Sequence, residues 1–273
     1  MSDADSYVMG HDDRERRRLA LQASLLNPFT EQLLRRAGIS SGMNVLDIGC
    51  GVGDVSLLAA RLVGRHGSVT SVDFDAEALA KLKARAAAEA VENIECVQAN
   101  VDEWQPPRKF DAVVGRHILI HTKDPLTVLR ACAAMLYPRG LAVCHEYDFS
   151  VVHRAWPPAP LRDRFMEVFD RFFAQATRSD MGSRLWTLLM DAGFERPDCR
   201  VEYPMSGGAD SLFYEWFAES FRSIQPRAVS LGIIRDGEFD IDTLEQRLRE
   251  ETGSSNSCIP APAMVGAFAR LKT

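Results

Sequence analysis

From residue 44 onward the chain alternates short apolar runs with longer stretches whose apolar residues recur every three or four positions. The runs at 44–48, 68–72, 94–98, 111–114 and 140–146 predict strands, and the segments 54–63, 76–90 and 125–136 between them predict helices. Strands separated by amphipathic helices imply parallel crossovers, and the fixed hand of such crossovers builds a doubly wound sheet. Ahead of this region, 12–37 has a helical pattern carrying Leu19, Leu21, Leu25, Leu26, Phe29, Leu33 and Leu34. Pro28 is expected to split it in two.

Beyond Phe149 the rhythm changes. A proline-rich connector at 156–160 leads to an aromatic helix at 161–176 and a second helix at 184–192 closed by Gly193. Residues 200–203 and 265–271 read as strands, paired as an antiparallel hairpin at the sheet edge. Two helices, 211–223 and 243–250, fall within an insertion spanning 207–256, and 253–257 reads as a flexible loop. The expected fold is α/β: a doubly wound, mostly parallel seven-stranded sheet with an antiparallel edge strand. Residues 1–42 form an N-terminal helical lid, 43–150 a Rossmann-like cofactor-binding core, and 151–273 the end of the core sheet with a helical substrate cap.

Composition narrows the function. A chain of 273 residues with 46% hydrophobic and 26% charged residues can bury a substantial core. Its net charge of -6 shows no overall basic bias to attract a nucleic-acid backbone, and no nucleic-acid partner is expected. The six cysteines form no CxxC pair and no zinc-spaced cluster, so no metal site is expected and a reducing compartment fits. The polar N-terminus lacks the apolar core of a secretory signal, and no apolar run spans a bilayer. A cytoplasmic protein without integral membrane association is expected; its oligomeric state is left open.

The sharpest signal is Val45-Leu46-Asp47-Ile48-Gly49-Cys50-Gly51-Val52-Gly53, an apolar strand ending in three alternate glycines that run into a helix. Glycines there allow a tight turn and close approach of a ligand to the main chain, at the carboxyl end of a strand where open sheets bind ligands. A phosphate loop needs Gly-Lys-Ser/Thr, but Asp54 follows Gly53; a dinucleotide turn is GxGxxG, and the spacing here is GxGxG. Asp47 and Asp54 repel a pyrophosphate and suit a cationic ligand. S-adenosylmethionine, with its ammonium and sulfonium, fits this bias, Asp47 serving its positive end. The second strand ends in Asp73, ~20 residues after the last glycine, where an acid that accepts from ribose hydroxyls is expected. Asp75, before Ala76, reads as a helix cap.

Residues 43–149 resemble a class I S-adenosylmethionine-dependent methyltransferase of the small-molecule type, close to ubiquinone/menaquinone-biosynthesis and natural-product enzymes. The likeness rests on the glycine turn from Asp47 to Gly53, on Asp73, on Phe110-Asp111-Ala112-Val113-Val114, and on Arg116-His117-Ile118-Leu119-Ile120-His121 followed by Asp124-Pro125. It implies that Phe74 packs beside the adenine, that Asn100 and Val101 flank the ring, and that Arg116 lies against the methionine part. Ala99-Asn100 departs from the more usual Gly-Asp, leaving an amide carbonyl as the acceptor. Tyr7 and Gln22 resemble residues of a helical lid that closes on the cofactor.

Displacement at a sulfonium mainly requires alignment of a nucleophile and exclusion of water, with a base only if the nucleophile must lose a proton. An open sheet excludes no water by itself, so the lid and parts of 207–256 are expected to cover cofactor and substrate. His145 or Glu146, at the end of the fifth strand, is the favoured base, with His117 the other candidate; strand alternation puts His145 and Glu146 on opposite faces. The aromatic residues of the cap are mostly core, with a few lining an apolar pocket. Methyl transfer to an O, N or C nucleophile of a small molecule, in the biosynthesis of a secondary metabolite or quinone-like compound, is the leading function. A cyclisation or decarboxylation that uses the same cofactor is the alternative, and a non-catalytic scaffold a third.

Overall fold

A computed structural model describes residues 13–151 and 154–273; Tyr7 lies outside them. The elements are α1 (Asp13–Ala37), β1 (Asn44–Ile48), α2 (Asp54–Val63), β2 (Ser68–Asp73), α3 (Ala76–Ala88), β3 (Ile94–Gln98), β4 (Phe110–Arg116), α4 (Pro125–Met135) and β5 (Leu136–Asp148). They continue with α5 (Pro160–Ala176), α6 (Met181–Asp191), β6 (Phe194–Glu202), β7 (Met205–Gly207), α7 (Phe213–Ser230), α8 (Leu244–Ser255), β8 (Cys258–Pro260) and β9 (Ala263–Leu271).

The chain divides into two compact units. The first holds Leu26–Glu146, Met181–Arg200 and Val265–Thr273. Its seven-stranded sheet has the order β3-β2-β1-β4-β5-β9-β6 and is mostly parallel, with an antiparallel edge strand. β1 pairs in parallel with β2 and β4, and β4 with β5. β1 sits centrally because both its faces are apolar: Val45 and Leu46 are completely buried and Ile48 nearly so. One face packs under α1 and α2, where Leu33, Leu34, Leu58 and Val63 meet Val45, Val114, Leu141 and Val143. Asp75 caps α3 by accepting from the N–H groups of Glu77 and Ala78, and Asp124 caps α4 in the same way through Leu126 and Thr127.

The second unit holds the described residues of Met1–Leu25, Tyr147–Asp180 and Val201–Met264. Its centre is aromatic: Phe165 of α5 lies 4.4 Å from Phe221 of α7 and 5.3 Å from Phe239, ring centre to ring centre. β7 and β8 pair antiparallel and close the base of the insertion that carries α7 and α8. The completely buried Arg162 donates from Nε and Nη2 to the Pro260 carbonyl and pairs with Asp163.

Several elements differ from their sequence expectations. α1 runs through Pro28 as one helix, and α7 continues through Pro226 to Ser230. An interior proline costs roughly 3 kcal/mol in helix propensity. Buried neighbours on the same helices, Leu26, Leu33 and Leu34 in α1 and Phe221, Ile224 and Ala228 in α7, offset that cost. β5 is 13 residues long and begins directly at the end of α4. β6 begins at Phe194 rather than at 200, since Phe194 is a fully buried anchor. Gly253, Ser254 and Ser255, expected in a loop, form the last turn of α8, where both serine hydroxyls donate back to the Glu251 carbonyl. The pairing of β7 with β8 is too short to leave a periodic signal.

Candidate active site at the glycine turn

The turn between β1 and α2 is fastened to β2 at two points. Cys50 N–H donates to the Val72 carbonyl at 3.1 Å, and Gly51 N–H donates to Asp73 Oδ2 at 2.8 Å. The three glycines do different work. All three have a left-handed φ, but a methyl group on Gly49 (φ 59°) would also strike the Ile118 side chain, and one on Gly53 (φ 88°) would also strike Leu82. Gly51 has a left-handed φ of 52°, and a Cβ there would meet nothing within 4 Å. Its backbone therefore borders open space, as a turn that admits a ligand to the main chain requires.

Asp47 lies beneath this turn, 1% exposed. Its Oδ2 accepts from Ser56 Oγ at 2.6 Å, and Ser56 in turn accepts from Ser71 Oγ at 2.8 Å. Burial pushes its pKa up to about 7, against the lowering effects of the Ser56 hydrogen bond and the Arg116 charge. Asp73 is raised chiefly by burial, while the N–H groups of Asp75 and Gly51 pull it down. Each Asp73 oxygen accepts one of these backbone bonds and keeps a lone pair for a further donor. Phe74 beside it is exposed, and Asn100 and Val101, just past the end of β3, are half-buried. The Ala99 N–H donates to the Asp73 carbonyl, which ties the Asn100 loop to the end of β2.

Arg116, at the end of β4, gathers three elements. Nη1 donates to Asn27 Oδ1 and Thr30 Oγ1 of α1, both at 2.9 Å, and Nη2 lies 3.3 Å from Asp54 Oδ2 at the start of α2. Asp54 also pairs with Arg85 at 2.8 Å. Thr30 Oγ1 lies 3.1 Å from His145 Nδ1. Asn27 and Thr30 were not evident as site residues. The available signal is Thr30 one helical turn from both Leu26 and Leu34, on the buried stripe of α1, where it is 2% exposed.

The three candidate bases occupy different surroundings. His145 is 1% exposed, against Thr30. Glu146 is completely buried, and its carboxylate accepts from the N–H groups of Ile118, Leu119 and Ile120 at 3.0, 2.9 and 3.3 Å. The two side chains serve opposite sides of β5, as strand alternation demands. Burial raises the Glu146 pKa to about 8 against the lowering effect of those three donors. Its acceptor capacity goes to the 3₁₀ turn Leu119–His121 and the residue before it. His117 is half-buried, has a left-handed φ of 56°, and donates its N–H to the His145 carbonyl at 3.0 Å. Gln22 is buried on α1, where its Oε1 accepts from Arg18 at 2.8 Å. Among the described residues no group of three or more His, Cys, Asp or Glu could hold a metal ion, and no helix is long and apolar enough to cross a membrane.

Residues 45–140 match the family described as a methyltransferase domain. The demethylmenaquinone methyltransferase of Lactococcus lactis is 36% identical over 114 residues, 41% of this chain and 45% of the relative. The ubiquinone biosynthesis O-methyltransferase of Sodalis glossinidius is 34% identical over 137 residues, 48% of this chain and 51% of the relative. The chain thus spans about half the length of these curated relatives. Among solved structures, the YcgJ protein of Bacillus subtilis superposes with a TM-score of 0.60 over 90% of this chain and 99% of its own, at 15% identity, and supports the fold.

Proposed function

We infer that this chain, whose residues 45–140 match the methyltransferase domain and whose sheet is of the class I type, binds S-adenosylmethionine at the glycine turn and transfers its methyl group to a small-molecule acceptor. The observation that carries this is the open backbone at Gly51 beside the Asp73 carboxylate, with buried acid beneath. In this proposal Asp73 accepts from the ribose hydroxyls, Phe74, Asn100 and Val101 border the adenine, and Asp47, with Arg116 fixed above it, sets the charge balance at the amino-acid end. When bound, the cofactor supplies an activated methyl on a sulfonium leaving group.

What the protein adds is alignment and proton handling. Glu146 is a positioning residue, because its carboxylate is committed to three N–H groups of the loop after β4. His145 is held against α1 through Thr30. His117 is the remaining candidate and the one proposed to take a proton from the acceptor: it is half-buried, at the carboxyl end of a strand, and kept in a backbone conformation unusual for a non-glycine residue. The quinone-type acceptors in the names of the relatives are the proposed substrate class. The six cysteines are free, as suits a reducing cytoplasm.

Calorimetric titration tests the cofactor assignment. S-adenosylmethionine is expected to bind at a single site and NAD not to compete, because the acids at the turn disfavour a pyrophosphate. The ammonium favours ionised Asp47, so affinity rises with pH as that group titrates near about 7 and levels off above it. Below that pKa each unit costs up to about tenfold, since binding must release the proton. Asp47→Asn is expected to bind more weakly and without this pH dependence. Displacement by equimolar NAD would return the turn to the dinucleotide class.

A further inference from the structure

Helix α7 buries two polar atoms without a partner. Trp216 is 3% exposed and Ser220 5%, and neither the indole Nε1 nor the serine Oγ makes a hydrogen bond among the described residues. Four residues apart, they lie one above the other on one side of the helix. Several other buried polar groups of this unit are paired: Thr252 Oγ1 donates to Tyr214 at 2.7 Å, Ser257 Oγ to the Pro157 carbonyl at 2.6 Å, and Arg162 to Pro260. Buried donors are rarely left unmatched, so two on one face point to a group that arrives from outside.

Their surroundings specify that group. The Trp216 ring has Phe217 at 5.1 Å, Phe213 at 6.0 Å and Tyr147 at 6.4 Å, the last of these stacked. These neighbours are all aromatic, a setting that suits an aromatic molecule. An indole N–H only donates and a hydroxyl can donate, so the complementary group is an acceptor. Of the two cations on the same helix, Arg222 is committed to Glu219 and Asp242, and Arg227 lies in the last turn, seven residues or roughly 10 Å along the axis beyond Ser220. An anionic oxygen would therefore be desolvated without a counter-charge, and a neutral carbonyl would not.

We propose that Trp216 and Ser220 are the polar handle of a binding site for a flat, apolar molecule bearing a neutral carbonyl oxygen. The proposal rests on the small-molecule reading above and narrows its substrate class. Two probes of nearly equal size separate it from packing around an internal water: 2-acetylnaphthalene, which has the carbonyl, and 2-ethylnaphthalene, which does not. Both are titrated into the whole protein, with and without saturating S-adenosylhomocysteine. The ketone is expected to bind about tenfold tighter, the effect of one hydrogen bond to a buried donor. Of the four tryptophan indole N–H resonances, the one missing from Trp216→Phe shifts with the ketone alone. The double variant Trp216→Phe, Ser220→Ala binds the two probes equally while S-adenosylmethionine still titrates normally. Equal binding of both probes by the wild type, or binding of neither, overturns the proposal. Failure of the cofactor to titrate would instead count against the cofactor reading, and the preference for the ketone would still be measured in its absence.

Discussion

Replacing Gly51 by valine should leave the protein folded and weaken S-adenosylmethionine binding by at least about a hundredfold, close to 3 kcal/mol. A Cβ at this position meets no neighbour within 4 Å, so the fold loses only the cost of holding a branched residue at a φ of 52°, about 1–2 kcal/mol. The new side chain would fill the space through which a ligand reaches the Gly51 main chain. Gly49→Ala and Gly53→Ala provide the contrast. Their methyl groups would press on Ile118 and Leu82, so both should lower the melting temperature before binding is considered. Thermal melts paired with calorimetry distinguish the cases. A Gly51→Val protein that binds normally would remove the turn from the site.

Glu146→Ala is expected to be the most destabilising single change in the sheet unit, at about 3–5 kcal/mol. The variant leaves the N–H groups of Ile118, Leu119 and Ile120 without their acceptor and opens a cavity where the carboxylate was. The pH dependence has a definite sign. The folded-state pKa is raised from the ordinary 4.5 to about 8, so over that interval the native state binds more protons than the unfolded one. The contribution of Glu146 to stability is therefore greatest below about pH 4.5 and is lost as pH rises towards 8. Asp47 acts in the same direction towards about 7. Denaturant melts across this range should show wild-type stability falling with pH, and a shallower slope in Glu146→Gln. A slope unchanged by that substitution would contradict the burial of this group as its source.

Much of this was legible in the sequence for identifiable reasons. The strands β1 to β5 and the helices between them announce themselves because each is apolar at its own period, and the glycine turn with Asp73 marks the site because its chemistry is carried by neighbours in the chain. What stayed hidden depends on residues far apart. Thr30 meets His145 across 115 positions, and Asn27 meets Arg116 across 89. Pro28 and Pro226 mark local breaks that buried flanking side chains override. Glu146 at a strand end invited a catalytic assignment, but which donors it faces depends on how the loop after β4 folds back, and strand periodicity carries no trace of that.

Transfer of a methyl group is measured directly by product mass. The protein is incubated with S-adenosylmethionine carrying an isotopically labelled methyl group and with candidate aromatic acceptors, including quinols. S-adenosylhomocysteine and a labelled, methylated acceptor are expected in equal amounts, with both lost in Gly51→Val and the rate falling in His117→Ala. An acceptor that rearranges at constant mass while the labelled cofactor is recovered intact would contradict methyl transfer and establish the cyclisation chemistry instead.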